Sequence, residues 1–136
     1  MPVYVRFQSA VPNRRGAFPG VFALANGLAG DGRLSAEDLR LWRAMNDRMN
    51  TAYADPTASD PDCYDRRLHP GARSWFKVGP ADRLIEGTRF YTDLLDRYGV
   101  PWVELRTGTP GHVHFEDDVH VVATPFLHES DWPFRP

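Results

Sequence analysis

From Val3 to Gln8 the chain alternates apolar Val3, Val5 and Phe7 with Tyr4, Arg6 and Gln8, and this period of two predicts a half-buried strand. After the turn-rich stretch PNRRGAFPG at 12–20, VFALANGLA at 21–29 predicts a short helix stopped by a left-handed Gly30. The next helix has a clearer start. Ser35 can cap it, Asp38 lies three residues on, and Leu34 can staple onto Leu39 across the cap. Within it Leu39, Trp42, Met45, Met49 and Ala52 or Tyr53 recur at helical spacing, a stripe that packs on a core. The proline-punctuated segment 55–80 has no long periodic pattern and reads as a covering excursion, pinned by Trp75 and Phe76 in a short helical turn. Helical spacing returns in ADRLIEGTRFYTDLLDRYG at 81–99, with Pro80 and Asp82 suited to its start and Gly99 to its end. WVELRT, HVHFE and VHVVATP then read as a meander of three strands joined by GTPG and by Asp117 and Asp118.

These elements predict one α+β domain over 1–136, with three or four mostly antiparallel strands packed by one face on two or three helices. Period-two alternation sets Val103, Leu105, Val113, Phe115, Val119 and Val121 on one face, expected to meet Trp42, Met45 and Leu94. Glu104, Arg106, His112, His114, Glu116 and His120 then share the other, joined by Arg6 and Gln8 if the first strand belongs to the same sheet. A solvated sheet face explains such residues without catalysis, and each cross-strand pair would contribute only about 0.2–1 kcal/mol.

Two kinds of chemistry compete with that explanation. In one, Glu116 and His114 act as base and proton carrier beside Arg106, with Glu104, His112, Asp117 and His120 as binding groups. In the other, Arg14 and Arg15, with the free amides at the start of the following helix, hold a phosphate or carboxylate, while Arg6 counts as a binding candidate only as part of the polar sheet face. The H-x-H spacing of His112 and His114 is the only metal-like signal, and Glu116 is badly placed to complete such a site, so neither metal nor cofactor is expected. No G-x-S-x-G stands in the chain and Cys63 lies in no nucleophile motif, which argues against covalent hydrolysis.

Composition narrows the partners. A formal charge of −2 provides no basic footprint for nucleic acid and no polybasic arm for lipid. The start MPVYVRFQ lacks the pattern of a secretory signal, and no apolar run approaches the roughly 20 residues of a membrane span, so a cytoplasmic protein is expected. Fifteen of the sixteen basic residues are Arg, a bias that weakens arginine counts as functional signals. The most economical function is that of a non-catalytic binding or adaptor protein for a small anionic ligand or a protein partner, with a small acid/base enzyme as the alternative.

The segments ARSWFK at 72–77 and PGHVHFEDDVHVVATPF at 110–126, with GVFALANGL and GRLS upstream, resemble a family of small bacterial proteins of unknown function. Its tail motif has the form P-G-x-x-x-Y-E-D-x-x-Q-V-V-A-x-P-F. Glu116 and Asp117 match it, whereas Phe115 stands in place of Tyr and His120 in place of Gln. The resemblance implies no activity, but it moves the emphasis from the histidines to the Glu116 and Asp117 pair.

Overall fold

The computed structural model describes residues 2–126, which run β1 (Tyr4–Ser9), α1 (Val21–Gly30), α2 (Ala36–Ala52), α3 (Pro56–Ser59), β2 (Arg73–Lys77), α4 (Asp82–Arg97), β3 (Trp102–Thr107), β4 (His112–Glu116) and β5 (His120–Thr124). The architecture is α+β, with four helices and one five-stranded sheet among the described residues. The sheet is antiparallel throughout, in the order β3-β1-β2-β5-β4.

The helices form for the local reasons the sequence carries. Ser35 caps α2 by accepting from the Asp38 amide at 3.1 Å. Asp38 is too short to return the bond to the Ser35 amide, and the Tyr98 hydroxyl bridges them instead, accepting from Ser35 N and donating to Asp38 Oδ2, each at 2.8 Å. The cap of α2 is therefore tied to the end of α4. The stop of α1 lies two residues beyond the expected position: Gly32, not Gly30, takes the left-handed conformation, at φ +69. In α4 the stripe Leu84, Tyr91, Leu94 and Leu95 is buried, and Gly87 lets α2 approach until a Cβ there would meet Met49 Sδ at 3.5 Å.

The sheet differs from the expected meander. Residues 73–77 form no helical turn; as β2 they occupy the centre, between β1 and β5, and the strand count rises to five. This pushes β3 and β4, expected to pair as a hairpin, to opposite edges. In a flat sheet those edges would lie about 19 Å apart, from four strand spacings. The five steps from Thr107 to His112 reach at most about 18 Å. The sheet must therefore curl, and it does so around a small cluster of Trp75, Val121, Tyr4 and Leu105 on the face away from the helices. The main core lies on the other face, where Val5 and Phe76 meet Val21, Ala25, Tyr91 and Leu94.

Register also redistributes the faces. Arg106 aligns with Val5 and Glu104 with Phe7, so these charged residues lie on the helix side, while Val103 and Leu105 face away. His120 aligns with Phe76 on the helix side. A bulge between Val113 and Phe115 breaks the alternation of β4 at His114, leaving Val113 45% exposed and setting Phe115 beside the His120 ring. The expected burial of Val103, Leu105, Val113, Phe115 and Val121 in one cluster with Trp42, Met45 and Leu94 is thus overturned.

Two substitutions separate these faces from the alternating ones. Trp75→Ala should destabilise by about 3–5 kcal/mol, because the ring fills the curl of the sheet. Val113→Ala should stay within about 0.5 kcal/mol. Urea denaturation of both variants measures the difference, and a Val113→Ala cost comparable to that of a core truncation would contradict the bulge.

Candidate functional site

β1 and β2 pair only at Tyr4 with Lys77 and at Val5 with Phe76, after which they diverge. The Arg6 guanidinium fills the opening. Its Nε donates to Gln8 Oε1 at 2.8 Å, Nη1 to the Ser74 carbonyl at 3.1 Å and Nη2 to the Phe18 carbonyl at 3.1 Å. It is 9% exposed, and all of these acceptors are neutral. No carboxylate of the described residues forms an ion pair with it. Arg73 is buried nearby and shares Gln8 Oε1 at 3.4 Å. Burial pushes the Arg6 guanidinium down to about 9; Arg73 acts in the same direction and Tyr64 opposes it. Arg73 itself is lowered by burial to about 10. Both remain charged at neutral pH.

Arg6 stands between two recesses and lines both, as does Tyr64. On the helix side is a cavity of about 450 Å³ walled by Phe22, Tyr53 and Phe76, with Asn50, Asp55 and His120 as polar groups. Tyr53 and Phe76 meet edge to face at 5.8 Å, and Phe22 and Phe76 at 6.3 Å. On the other side is a groove of about 410 Å³ lined by Arg15, Arg66, Arg73 and His69, and among the described residues no carboxylate lines it. Gly20, the residue that opens α1, also lines the cavity; a Cβ there would come 3.6 Å from Arg6 Nη2.

At the far wall of the cavity, His120 is held by Asp117. Asp117 Oδ1 accepts from the Val119 amide at 2.9 Å, the His120 amide at 2.8 Å and His120 Nδ1 at 2.8 Å. Desolvation raises the Asp117 carboxyl, but these hydrogen bonds and the His120 ring outweigh it and hold the group below the ordinary carboxylate range. An ionised Asp117 only accepts, so it fixes the proton on Nδ1. His120 is 2% exposed, and its Nε2 has no hydrogen-bond partner.

The structure does not assemble the other residues singled out by the sequence. Glu104 pairs with Arg106 at 2.8 Å on the β3 edge. Glu116 pairs with Lys77 at 2.6 Å near the opposite edge, on the face away from His120. His114 stacks on His69 at 3.6 Å and bonds Thr124 Oγ1 through Nε2, while His112 packs against the Phe126 ring. The grouping of Glu116, Arg106 and His114 therefore does not form. Arg15 lines the groove and Arg14 does not. Among the described residues no three His, Cys, Asp or Glu side chains gather as a metal ion would require, and none of their helices is long and apolar enough to cross a membrane. Burial pushes the Cys63 thiol up, away from a reactive thiolate. Sequence reasoning missed Tyr53, Tyr64 and Arg73, which long-range packing alone unites with Arg6.

The chain matches no protein-family model, no curated protein and no solved structure.

Because Asp117 has a lowered folded-state pKa, its contribution to stability is present above its unfolded value near 3.9 and is lost as pH falls through the folded value. Asp117→Asn should destabilise the protein at pH 6 by about 1–3 kcal/mol through the loss of charge-assisted bonds. The gap to wild type should narrow at pH 2–3. Urea melts at both pH values test this, and a gap independent of pH would refute the role given to the carboxylate.

Proposed function

We propose that this protein binds a small organic anion between the sheet and the loops that precede α1 and β2, with Arg6 as the central contact. The observation that carries this reading is the buried Arg6 guanidinium, hydrogen-bonded only to neutral groups at the junction of two recesses. Burying an unpaired charge is costly, and an anion reaching that junction would offset much of the cost. Arg15 and Arg66, both exposed on the groove, add attraction, and no carboxylate among the described residues lines the groove to neutralise them. Binding rather than turnover is the function proposed. An acid/base enzyme is the second reading, favoured by the Asp117 and His120 pair on the cavity wall rather than by Glu116 and Arg106.

Thermal melts in phosphate or sulfate, compared with chloride at matched ionic strength, test the reading. Wild type should gain several degrees in the oxyanions, corresponding to about 2.7 kcal/mol at roughly a hundred times Kd. Arg6→Met and the doubly substituted Arg15→Ala, Arg66→Ala protein should lose the gain, the second without disturbing buried contacts. An equal gain in wild type and both variants, or none in wild type, would overturn the proposal.

A further inference from the structure

The two recesses on either side of Arg6 differ in chemistry, and the difference specifies a ligand class. We infer that the ligand is a phosphate ester of a flat heteroaromatic group, a nucleotide in the simplest case, with its phosphate in the arginine groove and its ring in the aromatic cavity. This inference rests on the anion-binding reading and goes beyond it.

The charge in the groove selects the anion. Arg6, Arg15 and Arg66 line it together with His69, and among the described residues no carboxylate lines it. A single carboxylate would leave most of that charge uncompensated, whereas a phosphate has up to two charges and oxygens that match the guanidinium fork. The cavity selects the rest of the molecule. Its walls are the rings of Phe22, Tyr53 and Phe76, set edge to face so that a planar group can lie against one face while meeting the edge of another. An aliphatic chain would satisfy these walls but not the polar groups among them. His120 Nε2 is buried and lacks a partner, and Asn50 and the ionised Asp55 also line the cavity. A ring whose edge bears donors and acceptors would satisfy them. Connection is the third element. Arg6 and Tyr64 line both recesses, so a molecule that spans them passes these two side chains. The volumes, about 450 and 410 Å³, lie in the range of small-ligand sites.

Isothermal titration calorimetry on the full chain separates the contributions. The probes are inorganic phosphate for the groove, adenosine and uridine for the cavity, and their 5′-monophosphates for both. At least one nucleotide should bind about tenfold or more tightly than phosphate and than its own nucleoside. Arg66→Ala, on the exposed rim, should weaken the nucleotide and leave the nucleoside unchanged. Tyr53→Leu, its fold checked by circular dichroism, should weaken the nucleotide and leave phosphate unchanged. If phosphate binds in an Arg6-dependent way and neither nucleotide improves on it, the heteroaromatic assignment fails while the anion-binding reading stands. If neither phosphate nor nucleotide binds, both fail.

Discussion

A charged fork placed where two strands part company ties β1, β2 and the loop before α1 together. β1 and β2 share only two residue pairs before they separate, and an open seam in the middle of a sheet would strand backbone groups away from water. Arg6 closes the seam from within by binding a carbonyl of β2, a carbonyl of the loop before α1 and the side chain of Gln8 on its own strand. The loop is drawn in as a consequence. Ser9 N reaches the Pro19 carbonyl at 2.8 Å and Gln8 bridges to Gly20, so the segment ending at Gly20 takes the place beside β1 that β2 has vacated. The start of α1 is thereby fixed against the cavity.

The curl of the sheet and the position of the recesses come from a second constraint, the short connection between β3 and β4. Because residues 108–111 cannot cross a flat five-stranded sheet, the strands bend around Trp75 and Val121. Gly111 marks the closeness of the return. Its φ is +128, and a Cβ there would collide with the backbone of Thr124 and Pro125. Curling leaves two apolar clusters on opposite faces, which is why β5, with buried residues on both sides, reads as an unbroken VHVVAT run.

The parts of this fold legible in the sequence are those written in local chemistry. Ser35 with Asp38 announced α2, the leucine and tyrosine stripe announced α4, and the alternation at 3–8 announced β1. What escaped depends on partners far along the chain. RSWFK is five residues long and alternates nothing obvious, so its place at the centre of the sheet is decided by β1 and β5 rather than by itself. The bulge at His114 inverts the face assignment of β4 without any glycine to signal it. Arg6 stood among the candidate binding residues as one of a polar face, but its burial followed from a divergence of strands that no periodicity encodes.

The chemistry at Arg6 carries the argument from architecture to function. Three neutral acceptors satisfy hydrogen-bond geometry without answering the charge, since a carbonyl dipole in a poorly solvated setting offsets only part of the desolvation of a guanidinium. The neighbouring Arg73 adds repulsion to that cost. A purely structural rivet has cheaper solutions, because a neutral amide donor could bond a carbonyl across the seam without bringing a charge under cover. Among the described residues Arg6 has no anionic partner at the wall common to two recesses, one lined by arginines and the other by aromatic rings with an unpartnered imidazole nitrogen, and in the function proposed above these unfavourable electrostatics are those of a site without its ligand. Under that proposal, the same charge that weakens the protein alone would be the source of affinity for an anion.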